Sequence, residues 1–170
     1  MSEALVRDDY RRQLTLWVLL TAETTGISPT QAFDQVQEAF VAEPTPADLT
    51  ERTPFFAIER TEDFLPSPRQ WADTRSRVHR AVVFFEQNQD RVNASIVAAS
   101  PKWRLERMPL IDRTILRMGV AELLGEKPRP RATLNGMIEL AKQVGGEGTP
   151  AFVNGILDQI RRNLNIPFAP

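Results

Sequence analysis

The sequence predicts an all-α protein, and two kinds of observation carry that prediction. At three places a hydroxyl residue is followed at once by proline: Ser28-Pro29, Ser67-Pro68 and Thr149-Pro150. In each, the hydroxyl can cap a helix whose first turn accepts the proline, because the N–H at that position has no partner inside a helix anyway. Gln31 and Gln70 stand where a capping box needs them, able to reach back to the N–H of the capping serine. Apolar residues also recur at helical spacing along most of the chain. No segment alternates with the period of two that marks a half-buried strand.

A first helix, roughly Asp9 to Glu23, buries Leu16, Leu19 and Leu20 with Trp17 alongside, and ends near Gly26. Phe33, Val36 and Phe40 form the stripe of the helix started by Ser28. After Ser67, the residues Trp71, Val78, Val82, Phe85, Val92 and Ile96 keep one face over nearly thirty residues, predicting a single long helix that stops before Ser100-Pro101. The next stripe runs through Leu110, Ile111, Ile115, Met118 and Leu123, with Gly125 as its stop. Leu134, Met137, Ile138, Ala141 and Val144 make another, closed by Gly145-Gly146. The last carries Phe152, Val153, Ile156, Leu157, Ile160 and Leu164, and Pro167 prevents it from continuing.

Between Phe40 and Ser67 this pattern breaks down. Pro44, Pro46, Pro54 and Pro66 punctuate a connector with room for one short helix around Thr53 to Arg60. The expected organisation is one domain over residues 1–170. Residues 1–66 form an N-terminal helical subdomain plus the Pro-rich connector, residues 67–170 form a C-terminal bundle, and both share one core.

A chain of 170 residues, 42% of them apolar, buries enough surface to fold without staples. It has no cysteine, which removes thiolate and disulfide chemistry and fits a reducing cytoplasm. The N-terminus lacks an apolar signal region, and runs such as Trp17 to Leu20 fall far short of the roughly 20 residues a membrane span needs. The expected state is soluble and cytoplasmic. The net charge of −1 hides a gradient: residues 1–51 carry −6, residues 52–100 carry +1 and residues 101–170 carry +4. Only 3 of the 21 positive charges are Lys, and Arg is the better residue for bidentate phosphate contacts and for stacking on bases. Two readings stand at this point: a nucleic-acid surface, or an Arg-rich proteome.

Enzymatic constellations are missing from the sequence. The single histidine, His79, sits between Arg77 and Arg80 with no Cys, Ser or second His at a recognisable spacing. Glu122 and Glu139 are single carboxylates on amphipathic helices, the usual setting of a solvated or Arg-paired group. No ligand cluster predicts a metal, and no cofactor is expected. Gly145-Gly146-Glu147-Gly148 follows a helix rather than a strand and lacks the Gly-Lys-Ser/Thr ending of a phosphate loop, so it reads as an interhelical connector.

One stretch does point to a function. Trp103, Arg107, Asp112-Arg113, Ile115-Leu116-Arg117, Glu122-Leu123, Asn135, Ile138-Glu139-Leu140-Ala141-Lys142 and Phe152-Val153-Asn154-Gly155-Ile156-Leu157-Asp158 occur in collinear order over about the last seventy residues. This series resembles the NusB family, whose members act in bacterial transcription antitermination. The resemblance implies an all-helical bundle of about seven helices in two subdomains that is not an enzyme. It also implies binding of boxA-like RNA through an Arg-rich first helix and a neighbouring surface. NusE, a ribosomal protein of the small subunit, would tighten that grip as a partner in the transcription elongation complex.

Carried onto this chain, the RNA-binding residues are Arg7, Arg11, Arg12, Arg117 and Phe152. Single-stranded RNA is held by positive charge along its backbone and by planar groups on which splayed bases stack. Arg11 and Arg12 are expected to be exposed. Phe152 stands where the family presents a stacking platform, and the competing reading is a core phenylalanine. Partner-binding residues are Leu19, in place of a family tyrosine, with Asp112 and Arg113. Gly155, inside the last helix, is expected to permit close helix packing. Two departures stand out: the Arg run of the first helix is interrupted by Asp8, Asp9 and Tyr10, and the family's Asn-Glu-Ala reads Asn135-Gly136-Met137, replacing a carboxylate with a helix-weakening glycine. The rival reading is a protein–protein module without RNA affinity, possible as a homodimer. A contiguous patch joining Arg11, Arg12 and Arg117 near Phe152 would favour RNA, and an apolar patch there would favour the module.

Overall fold

The computed structural model describes residues 3–41 and 68–168. Among them are seven α-helices and no strand: α1 (Glu3–Thr25), α2 (Pro29–Val41), α3 (Pro68–Gln87), α4 (Gln89–Ala99), α5 (Leu110–Leu124), α6 (Pro130–Val144) and α7 (Thr149–Asn163), with a short 3₁₀ turn, Leu105–Arg107, ahead of α5. The all-α class is therefore as the sequence predicts. The proline-rich connector, with its short helix around 53–60, lies outside the described residues.

Local chemistry sets most of the boundaries. Ser28 Oγ accepts from the Gln31 N–H at 3.2 Å while Gln31 Oε1 accepts from the Ser28 N–H at 3.0 Å, the reciprocal pair a capping box requires. Glu86 of α3 adds a carboxylate at the same helix start by accepting from the Thr30 N–H at 2.9 Å, a favourable place for negative charge. α1 ends at Gly26, whose φ of +73° is cheap only for glycine. α3 begins at Pro68, and Ser67, expected from the sequence to cap it, lies outside the described residues.

Three sequence expectations need correction. The single helix expected from Ser67 to Ser100 is two. Asn88, at φ −117° and ψ 15°, leaves the helical region, and its side-chain amide donates to the Phe84 carbonyl at 2.8 Å, a local bond that competes with the helical ladder. Thr149 does not cap α7. Gly148 is the capping position, and the Thr149 hydroxyl instead accepts from the Gly146 N–H at 3.0 Å and donates to Asp112 Oδ1 at 2.9 Å. Gly155 is exposed, with nothing within 4 Å of where its Cβ would stand, so it permits no close packing. That role belongs to Gly119, where a Cβ would meet Leu157 Cδ1 at 2.6 Å and Met137 Cγ at 3.2 Å.

Packing follows from these breaks. A larger core gathers Leu16 and Leu19 of α1, Phe85 of α3, Val92 and Ile96 of α4, and the apolar faces of α5, α6 and α7. A smaller one holds Val18, Ala22, Ala32, Phe33, Val36, Val78 and Val82, from α1, α2 and α3. The stripe passes from one core to the other inside α3, between Val82 and Phe85, and α4 continues it in the larger core. α1 contributes to both as well, because adjacent faces of the helix point into different cores. Among the described residues no helix is long and apolar enough to cross a membrane.

Candidate nucleic-acid interface

α1 and α5 run antiparallel, and their polar edges meet through carboxylates at two places. Near the start of α1, Glu122 accepts from Arg11 Nη2 at 2.8 Å, from Arg12 Nε at 3.1 Å, from Arg12 Nη2 at 3.0 Å and from the Thr133 hydroxyl at 2.9 Å. Burial alone would raise this carboxyl. The hydrogen bonds and charges of Arg12 and Arg11 outweigh it and hold Glu122 below the ordinary carboxylate range. Near the end of α1, Glu23 accepts from Arg113 Nε at 2.7 Å and from Arg117 Nη1 at 2.8 Å, while Arg117 Nε reaches Asn93 Oδ1 at 3.0 Å.

Arg12 is only 5% exposed. Its guanidinium lies against the backbone of α6, where a Cβ on Gly136 would stand 2.0 Å from Nη1 and 2.4 Å from Cζ. Only glycine leaves room for that group. Gly136 thus provides the space into which a buried arginine is pressed, and Glu122 supplies the charge that makes its burial tolerable.

Above this pair the surface opens into a concavity of about 280 Å³. It is lined by Arg11 and Arg12 of α1, Arg77 and Arg80 of α3, Glu122 of α5, Lys127 and Arg129 of the α5–α6 link, and Ala132 and Thr133 of α6. One carboxylate stands among the side chains of six cationic residues. Such an arrangement attracts polyanions and favours phosphate over an apolar ligand.

A second feature lies toward the N-terminal end of α5. Trp103, 57% exposed, meets Phe152 edge to face with ring centroids 5.9 Å apart. Phe152 itself is half-buried, packed against the larger core. Exposed Lys102 and Arg104 flank the tryptophan.

A model of the NusB family matches residues 18–162. The chain belongs to the NusB family. The transcription antitermination protein NusB of Sorangium cellulosum is 43% identical over 100 residues, which cover 58% of this chain and 67% of that protein. Its counterpart in Bacillus mycoides is 35% identical over 119 residues, 69% of this chain and 87% of that one. Among solved structures, T. maritima NusB superposes with a TM-score of 0.66 at 23% identity, over 91% of this chain and 89% of that one, a likeness of fold.

Set in this NusB frame, the residues expected to bind RNA fall in two places. Arg11 lines the concavity, with Arg12 beneath it and turned inward rather than exposed. Arg117 sits at Glu23, eleven residues farther along α1, about 16 Å at the rise of a helix. Phe152 stands beside Trp103. No single patch joins Arg11, Arg12, Arg117 and Phe152. Arg7 lies in α1 ahead of the residues whose side chains are described.

The partner residues divide likewise. Asp112 and Arg113 occupy the first turn of α5, tied to Thr149 and Glu23 respectively. Leu19 is buried in the larger core, and in this conformation offers a partner no surface. Sequence reasoning missed Arg77, Arg80, Lys127 and Arg129, which converge only when α3 and the α5–α6 link are brought beside α1. It read Arg77 and Arg80 merely as neighbours of His79, whose ring packs 5.0 Å from Phe33. No signal along the chain links these four residues.

Proposed function

We propose that this chain is an RNA-binding adaptor in transcription antitermination. It engages boxA-like single-stranded RNA together with NusE in the cytoplasm, as part of the transcription elongation complex, and works by binding rather than catalysis. One observation carries the reading: in a chain of the NusB family, six cationic residues surround a single carboxylate in an open concavity beside α1. Phosphates of the RNA backbone occupy that charge field, and bases stack at Phe152. The first turn of α5, with Asp112 and Arg113, supplies the surface for NusE. The concavity favours this reading over a protein–protein module without RNA affinity, since cations rather than apolar side chains line it.

Titration of boxA-like RNA, with and without NusE, tests the proposal. Binding should be weak alone, tighten with NusE, and fall with salt at a log–log slope of about −0.7 per phosphate contacted. Absence of binding under both conditions, or binding indifferent to salt, would overturn it.

A further inference from the structure

We infer that the phosphate grip of this chain lies on α3 and the α5–α6 link, in Arg77, Arg80, Lys127 and Arg129, and that Arg11 and Arg12 of α1 serve mainly to build the floor beneath it. This rests on the RNA-binding reading and deepens it. The first step is what α1 has already committed. Arg12 is buried, and both nitrogens it directs at Glu122 are bonded. Arg11 shares the same carboxylate, and its side chain is only 16% exposed. Asp8 and Asp9 thin the positive charge of α1 further.

The other four side chains differ on each count. All are exposed. Lys127 and Arg129 make no ion pair among the described residues, Arg80 donates to the Ser76 hydroxyl at 2.7 Å, and Arg77 pairs with Asp73 one turn away on its own helix. Both members of that last pair are about half exposed, so water and salt leave it little hold on Arg77. Four cations therefore face one concavity whose only carboxylate among the described residues is engaged beneath them. A ligand with regularly spaced negative charges relieves their mutual repulsion, and a single-stranded RNA backbone has that chemistry. The polar lining fits phosphates better than a splayed base, which needs an apolar or aromatic face.

The test uses the full chain, a labelled boxA-like single-stranded RNA, and a salt series between about 50 and 200 mM. The variants are Arg77→Ala/Arg80→Ala, Lys127→Ala/Arg129→Ala and Arg11→Ala, with Lys142→Ala, at the far end of α6, as control. Each double variant should lower the salt slope by about 1.4 and weaken binding about 25-fold at 0.1 M salt, the loss expected for two phosphate contacts. Arg11→Ala should do less than either, and Lys142→Ala should match wild type. The charge-keeping Arg77→Lys/Arg80→Lys should retain most of the slope, which separates lost charge from lost fold. If both double variants keep wild-type affinity and slope while Arg11→Ala loses them, the grip belongs to α1 and the inference fails alone. If the wild-type chain binds no RNA, with or without NusE, the antitermination reading falls, and the inference with it.

Discussion

Replacing Gly136 by alanine sets two effects against each other, and the structure says which wins. On an exposed helix the change gains about 1 kcal/mol of helix propensity. Here the new methyl would stand 2.0 Å from Arg12 Nη1 and 2.4 Å from Cζ, so the guanidinium must retreat by well over 1 Å to reach an ordinary contact of about 3.5 Å. Its bonds to Glu122, at 3.1 and 3.0 Å, do not survive a displacement of that size. Separating a buried pair costs about 3–5 kcal/mol. The net expectation is a loss of about 2–4 kcal/mol, or about 5–15 °C in Tm for a chain of this length. Thermal and urea unfolding followed by circular dichroism read it directly. Gly155→Ala is the control: the same substitution in α7, with open space around it, should gain up to about 1 kcal/mol. A cycle with Arg12→Ala isolates the cause, since Gly136→Ala should cost little once the guanidinium is gone. A Gly136→Ala protein as stable as wild type would refute the reasoning.

Other expectations follow from the same geometry. Arg12→Ala should lower Tm clearly, whereas Arg11→Ala, nearer the surface, should shift it by only a few degrees; equal losses would mean the two arginines are not layered as described. Because Glu122 is held below its ordinary pKa in the folded state, it stabilises the fold at neutral pH, and that contribution is lost as pH falls through and below the usual carboxylate range. Urea midpoints between pH 7 and 3 should therefore drop more steeply for wild type than for Glu122→Gln, with the difference appearing below about pH 5. Asp112→Ala removes the acceptor of the Thr149 hydroxyl and should cost about 1 kcal/mol, while Asp112→Lys should also weaken NusE binding; calorimetry with NusE separates the two effects.

Much of the fold was legible because its signals are local. The Ser28 capping box, the stop at Gly26 and the stripes of α5, α6 and α7 each depend on residues a few positions apart. The break at Asn88 was not, because the apolar stripe continues in register across it and only the backbone of Asn88, at φ −117° and ψ 15°, leaves the helical region. Gly136 was legible as a departure but not in its meaning, since helix propensity is a property of one residue and the seat it makes involves Arg12, 124 positions away. The concavity was the least visible feature. Its cations come from three segments that the sequence gives no reason to group, and Arg12 reads like its neighbour Arg11 until one is seen lying under the other. The family resemblance reached the fold and the role through motifs of the last seventy residues. Those motifs contain none of the four cations on α3 and the α5–α6 link.

The position of α1 in both cores also has a consequence in time. It is made before α2 and α3, with which it can close the smaller core. Its own polar edge is completed by Glu122, 110 residues downstream of Arg12, and by Gln143, 130 residues downstream of Gln13. At a synthesis rate of about 5–20 residues per second, α1 waits about 5–20 seconds for the helices that seat it. Until then Arg12 has neither its carboxylate nor its glycine seat, and the concavity does not exist. A nascent or shortened chain lacking α5 and α6 can be helical and partly packed, yet it has no formed site to offer RNA, so binding competence arrives only once α6 has been made.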